Sequence, residues 1–346
     1  MNALHDPRIV WELTRECDLG CRHCPSGENT VDSDRSTYGA YKVIDQIVAA
    51  HPRELIFSGG DPLERHDIYE LIEYARRRGL DPAIAVSPTS RLTLDSLEML
   101  HRSGLDRVIF NIDGSSSERH EQQNGVPRSF GRSIRIMRWA CVVGLAIEVN
   151  TLVTRRSISD LAVIVELLRS FPIARWNLYF LVPTAKQPAA EMITPEEAER
   201  IFKFVGGSAP MLRFPVRMFE APHYLRWRLQ NIDGQWSDFA GFEDRSEHAV
   251  TSDRMIFITS SGEVRSSEFL PLIAGSVRYR PLSAIYEESD LFVSIRDRAN
   301  LKGKCGRCEY RQLCGGSRAR AWATTGDLFA SDPLCAYVPP AKEVSS

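Results

Sequence analysis

The run Cys17-Asp18-Leu19-Gly20-Cys21-Arg22-His23-Cys24 stands close behind the first apolar segment of the chain, Ile9-Val10-Trp11-Glu12-Leu13. Three thiolates at these spacings can wrap one loop around one polynuclear centre, yet they supply only three ligands. A 4Fe-4S cube held by three cysteines keeps one iron open. An open iron can chelate a small molecule, which separates it from a closed structural site. The competing reading is a zinc loop, but structural zinc normally closes with four ligands and favours two-residue spacings.

Outward from this loop, short apolar runs alternate with longer amphipathic ones. Residues 39–50 place Val43, Ile44, Ile47 and Val48 near one helical face. Glu54-Leu55-Ile56-Phe57 reads as a buried strand, and it runs into Ser58-Gly59-Gly60-Asp61-Pro62-Leu63, where glycines allow a sharp turn and a close backbone approach. Further strands are expected over 82–87, 107–114, 147–153 and 176–182, with helices over 66–78, 92–103, 130–141 and 159–169. Six such strand-helix alternations imply parallel strands joined by right-handed crossovers, as an open sheet or a partial barrel. Asn111, Asp113 and Asn150 fall at strand C-termini, where parallel folds place their ligands.

With 346 residues, 43% apolar and 25% charged, the chain has ordinary globular composition. A formal charge of −2, without basic blocks, argues against nucleic acid or an anionic membrane as partner. No apolar run approaches the roughly 18 residues of a membrane span, and Met1-Asn2-Ala3-Leu4-His5-Asp6-Pro7 lacks a basic leader and an apolar core, so a cytoplasmic enzyme is expected. Eight cysteines then point to metal or redox chemistry. Cys141, alone in Trp139-Ala140-Cys141-Val142-Val143, reads as a buried small hydrophobe.

Residues 183–250 break the alternation. Thr194-Pro195-Glu196-Glu197 opens a helix over 196–205. Beyond it come Phe219-Glu220-Ala221-Pro222-His223-Tyr224 and a polar stretch over 231–252; Glu220, His223 and Tyr224 are candidates for holding a substrate, with plain surface as the alternative. Residues 254–259 and 262–265 flank Ser260-Ser261 as a β-hairpin. Cys305, Cys308, Cys314 and Cys335 follow, and four thiolates close a site; zinc and iron-sulfur chemistry both fit this set.

The C-x3-C-x2-C loop behind a first strand resembles that of the radical S-adenosylmethionine (SAM) superfamily. The distal pattern, C-x2-C-x5-C-Gly-Gly and then Asp-Pro-x-Cys, resembles the auxiliary-cluster extension called SPASM or twitch. The resemblance implies an α/β fold, a six-stranded partial (β/α)6 barrel with a small C-terminal auxiliary Fe-S domain, divided into 1–190, a substrate-proximal connection over 191–252, and 253–346. Two 4Fe-4S clusters are implied. The first, on Cys17, Cys21 and Cys24, holds the methionyl amine and carboxylate of SAM on its open iron. The second, auxiliary, is held by Cys305, Cys308, Cys314 and Cys335, and no further one is expected because the hairpin position that often carries a cysteine in relatives reads Ser266-Ser267. SAM contacts are implied for His23, the ring before the third ligand, and for Gly59 and Gly60 at the amine, with Asp61 where glutamate is usual. Others are Ser87 at the ribose, Asp113, Asn150, and the backbone near Leu181 at the adenine. On this view Gly60→Val weakens SAM binding and leaves the cluster in place.

Ser-Gly-Gly-Asp-Pro-Leu, Glu-Ala-Pro-His-Tyr and Phe-Leu-Pro-Leu look most like the subgroup near the haem-biosynthesis radical enzymes, which act on tetrapyrrole side chains. Neighbouring subgroups act on ribosomal peptides or on aminoglycoside sugars. The implied activity is a radical SAM oxidoreductase, served by an electron donor such as flavodoxin or ferredoxin, in which a 5'-deoxyadenosyl radical takes hydrogen from an unactivated carbon and the auxiliary cluster accepts an electron. Oxidative decarboxylation, dehydrogenation or cross-linking of a tetrapyrrole or peptide would follow. The alternatives are a dehydrogenase or epimerase acting on a sugar, an Fe-S electron carrier, and a non-catalytic metal-binding module.

Overall fold

Side chains along a strand alternate between its two faces, and that alternation sorts the apolar residues of this chain into two cores. Ile9, Trp11, Leu55, Phe57, Ile84 and Val108 pack against helices, whereas Val10, Ile56, Ala83, Ile109, Phe219 and Phe257 pack together on the opposite face. The computed structural model describes residues 6–22, 24, 36–208, 212–232 and 248–340. Strands β1 (Arg8–Glu12), β2 (Glu54–Ser58), β3 (Pro82–Ala85), β4 (Arg107–Asn111), β5 (Ala146–Val153) and β6 (Ile173–Phe180) lie side by side in chain order, every pairing parallel. The crossovers carry α1 (Thr37–Ala49), α2 (Ile68–Arg77), α3 (Leu94–Arg102), α4 (Ser117–Asn124), α5 (Ser129–Val143) and α6 (Leu161–Leu168). This is the expected α/β fold.

The sheet goes further than six strands. After α7 (Pro195–Ser208), β7 (Val216–Phe219) adds in parallel to β6 and leads into α8 (His223–Asn231). The hairpin expected over 254–265 is present as β8 (Met255–Ile258) and β9 (Glu263–Arg265), but β8 also pairs in parallel with β1, and β10 (Gly275–Ser276) completes a ten-stranded sheet. Local turn signals reveal a hairpin and say nothing of a partner strand some 240 positions earlier in the chain. Helix α4, Ser-Glu-Arg-His-Glu-Gln-Gln-Asn, carries no apolar period and starts on the Ser116 side-chain cap, so a hydrophobic pattern could not find it. The remaining described helices are α9 (Leu282–Glu288), α10 (Asp290–Arg296), α11 (Gly303–Arg307), which carries Cys305, and α12 (Arg318–Thr325).

One face of the sheet is floored by charge. At the strand N-termini Glu54 accepts from Arg8 at 2.7 Å and Arg217 at 3.1 Å and meets Arg107 at 3.0 Å, while Glu148 meets Arg107 at 3.1 Å and Arg175 at 3.2 Å. Burial alone would raise the Glu54 pKa, but the arginines, Arg8 foremost, outweigh it and hold it at about 2. Such a buried network fixes geometry more surely than it adds stability. Above it a single cavity touches Val10, Ile56, Ala85, Ile109, Asn150, Tyr179 and Phe257, drawn from seven strands. Strands stand about 4.8 Å apart, so only a sheet curved round the cavity brings all seven to one wall.

Candidate functional site

The cavity, of about 270 Å³, opens at the strand C-termini, and Cys17, Cys21 and Cys24 stand on its wall. The loop that carries them is held by backbone. Leu13 N–H donates to Ser58 O (2.8 Å), Gly60 N–H to Thr14 O (2.8 Å), Asp61 N–H to Glu16 O (2.7 Å) and Arg22 N–H to Asn124 O (2.8 Å). Gly59 has φ +146°, and a Cβ on Gly60 would overlap the carbonyl oxygens of Glu16 and Arg15. The Gly-Gly turn therefore seats the cysteine loop itself. This corrects the expectation for Gly60→Val: the valine drives the loop away from β2, so iron at the first site falls to background together with SAM binding, while the distal site keeps its metal. Iron analysis of the variant checks this, and a full complement of iron with only SAM affinity lost would restore the simpler view.

Burial pushes the Cys17 thiol pKa up, and burial together with Cys24 and Cys17 pushes that of Cys21 up to about 12. Thiols so crowded stay protonated unless a positively charged centre binds their thiolates. Among the described residues no three His, Cys, Asp or Glu side chains converge on one ion-sized point; these sulfurs instead ring a cavity. An all-thiolate set of three, opening onto a space that a small molecule can enter, fits a 4Fe-4S cluster with one open iron.

Gly59, Gly60, Ser87, Asp113 and Asn150 share this cavity wall. Ser87 Oγ donates to Gly60 O at 2.8 Å, tying the end of β3 to the turn. Asp113 Oδ1 accepts from Leu152 N–H at 2.8 Å, Asp113 N–H donates to His120 Nδ1 at 3.0 Å, and Asn150 Oδ1 accepts from Asn177 Nδ2 at 2.9 Å. Asp61 and Leu181 do not line this cavity. The Asp61 carboxylate does not reach the cavity: it is fully buried, accepts from Leu63 N–H (3.1 Å) and Thr89 Oγ1 (2.6 Å), and caps a short helical turn. The Leu181 backbone is already engaged, its N–H with Val153 O at 3.3 Å and its carbonyl with Arg320 Nε at 3.0 Å. His23 lies outside the described residues.

Sequence reading missed Arg8, Glu12, His120, Tyr179, Arg265 and Glu268, which also line the cavity. Burial first, then the charges of Glu220 and Glu12, raises the Glu268 pKa from its ordinary 4.5 to about 7. The native protein thus holds a proton that the unfolded chain releases between these values, and stability falls as pH rises through that window. Glu268→Gln removes the fall. At pH 8 the variant is expected to be more stable than the wild type by on the order of 2 kcal/mol, and near pH 4 equal to it. Denaturation at the two pH values checks this; the same difference at both would contradict it.

The distal cysteines also share a cavity wall. Cys305 lies in α11 and Cys308 caps its end, Cys314 enters Gly315-Gly316, and Cys335 follows Asp332. Gly316 has φ +69°, and a Cβ there would sit 2.6 Å from Arg318 Nη2 and 2.8 Å from Asp332 Cβ, which explains the Cys-Gly-Gly triplet. Fully buried Arg320 joins this region to the sheet. It donates to Leu181 O (3.0 Å), Phe180 O (3.1 Å), Glu220 O (2.6 Å) and the Asp332 carboxylate (3.1 Å). Burial, then Cys335, pushes the Cys314 thiol pKa strongly upward, again leaving the thiolates to a bound cation. Four thiolates leave no ligand position open on a cubane cluster. No disulfide joins any of the eight cysteines, and Cys141, expected to be buried, is only half-buried, packed at the edge of the main core because its helix turns that face partly to solvent.

Of the three substrate candidates, none lines the central cavity. Glu220, at φ +55°, accepts from Ser267 Oγ at 2.9 Å and from Ser317 Oγ, joining the hairpin side to the distal segment. Tyr224 packs its ring on Phe202 and Trp227. His223 is fully buried and faces the distal cysteines instead. A sequence shows the Glu-Ala-Pro-His-Tyr cluster but not the turn after β7 that aims its members in three directions.

Among the described residues no helix is long and apolar enough to cross a membrane. Residues 11–168 match the family model described as Radical SAM superfamily. The chain is 32% identical to the AdoMet-dependent heme synthase of Methanosarcina barkeri, over 96% of this chain and 97% of that protein. It is 33% identical to the enzyme of the same name from Oleidesulfovibrio alaskensis, over 96% and 87% respectively. In fold it matches Streptococcus suis SuiB, whose crystal structure has S-adenosylmethionine bound, with a TM-score of 0.73 and 16% identity, covering 96% of this chain and 78% of that one. Family match, near full-length relatives and a three-thiol loop at the mouth of a curved parallel sheet agree, and the chain is an enzyme belonging to the radical SAM superfamily.

Proposed function

We propose that this enzyme oxidises carboxylate-bearing side chains of a tetrapyrrole, with the distal cysteines holding an auxiliary 4Fe-4S cluster that takes up the electron released. The observation that carries the reading is the cavity wall itself, where Arg15 and Arg265, each using one guanidinium nitrogen on Glu12 (3.2 Å) or Glu263 (2.6 Å), stand alongside the three loop cysteines. These cations suit a substrate with several carboxylates. An adjoining opening adds Lys186 and the apolar surfaces of Phe269 and Trp322, which suit a flat macrocycle. The relatives named heme synthases support the same choice.

Once bound and reduced by a donor such as flavodoxin or ferredoxin, the first cluster with SAM supplies a radical able to remove one hydrogen atom from carbon. The chain's own residues position the reaction. Arg15 and Arg265 would anchor carboxylates, Ser87 and Asp113 hold the strand ends in place, and the charged floor, Arg8 included, closes the far end of the cavity. On a propionate side chain, loss of one hydrogen atom followed by loss of CO₂ leaves an alkene and one electron to be removed. The distal cysteines, all four positions filled, suit electron uptake.

The test is turnover. Reconstituted enzyme, SAM, a reductant and an iron tetrapyrrole bearing propionates should yield, by mass spectrometry, a product lighter by CO₂ and two hydrogens for each side chain converted. An unchanged tetrapyrrole beside conversion of a peptide or a sugar would overturn the substrate assignment.

A further inference from the structure

His223 opens α8 and is fully buried on the wall of the distal cysteine cavity, with one ring face against Phe202 at 5.0 Å between centroids. Neither of its ring nitrogens has a hydrogen-bond partner. Its Nδ1 stands 3.9 Å from Asp332 Oδ2, too far for a hydrogen bond. Asp332 is in any case engaged by Arg320, Ser317 N–H and Leu334 N–H. In either charge state the ring carries at least one N–H. A buried N–H without an acceptor is costly and rare. The cavity wall that His223 shares carries the four distal cysteines.

We propose that His223 donates its ring N–H to a sulfur of the auxiliary cluster and thereby raises the reduction potential of that cluster. The inference rests on reading the distal cavity as an iron-sulfur site. Its physics is simple: the reduced cluster carries one more negative charge, so a fixed donor stabilises it more than the oxidised form. His223 is a positioning residue in this role, acting through the cluster on how readily an electron is accepted.

The test is a redox titration followed by electron paramagnetic resonance on the reconstituted full chain, tracking the signal that SAM does not perturb. His223→Phe should keep the distal iron and shift the midpoint to a lower potential, while His223→Gln, which retains an N–H donor, should stay near the wild type. Pulsed resonance on wild-type protein labelled with ¹⁵N-histidine should show one weakly coupled histidine nitrogen at the distal cluster. Equal potentials in the wild type and an iron-loaded His223→Phe, or no coupled nitrogen in the wild type, would overturn the hydrogen bond. Should the Phe variant lose its iron, the labelled wild type decides alone. A distal site that takes zinc and no iron overturns instead the reading on which the inference rests.

Discussion

Cys21→Ala abolishes release of 5'-deoxyadenosine, while the distal cysteines still hold about four irons per chain. The reason is local. Cys21 is the middle cysteine of a loop pinned at Leu13, Thr14, Glu16 and Arg22. The pinned backbone keeps Cys17 and Cys24 in place, so the loss is chemical and not a matter of folding. Two thiolates cannot retain a cubane cluster against exchange, and among the described residues no His, Asp or Glu is gathered tightly enough with them to hold an ion in its stead. Deoxyadenosine at the wild-type rate from this variant would reject the first site.

Cys308→Ala separates the two sites in the opposite sense. Cleavage of SAM needs only the first cluster and should continue, while oxidised product falls to background and a substrate radical accumulates, visible by electron paramagnetic resonance. Loss of product alone would also follow if the cysteines merely stapled a small domain. The structure argues that the segment stays folded. Leu270, Ile295, Ala319 and Leu328 form a core of their own with Val182, and Arg320 bonds to strand-end carbonyls and Asp332 without using any cysteine. Circular dichroism and substrate binding check that expectation. Full turnover to oxidised product without the second cluster would sink the oxidative mechanism.

The features legible in the sequence were those with a local cause. Strands β1 to β6 announced themselves by apolar runs between helical periods, and the cysteine spacings needed no partner elsewhere to be read. Parallel pairing of β8 with β1 was hidden because it joins residues far apart in the chain, and β7 is only four residues long. The Gly-Gly turn was legible as a place of close backbone approach, but not that the space a Gly60 Cβ would need is taken by the carbonyls of Arg15 and Glu16 in the cysteine loop. Arg320 and Arg318 look like solvated helix charges in Arg-Ala-Arg-Ala, yet both are fully buried and joined to backbone carbonyls. Glu268 carries no motif at all; only the fold brings it near Glu12 and Glu220.

The central claim, hydrogen removal from a tetrapyrrole side chain by a radical made at the first site, is tested most directly by isotope transfer. A substrate deuterated on the side-chain carbon that loses hydrogen is turned over anaerobically with unlabelled SAM, and the 5'-deoxyadenosine is weighed by mass spectrometry. Deuterium in the deoxyadenosine, matched to formation of the decarboxylated product, is the predicted result. Unlabelled deoxyadenosine alongside that same product would contradict it.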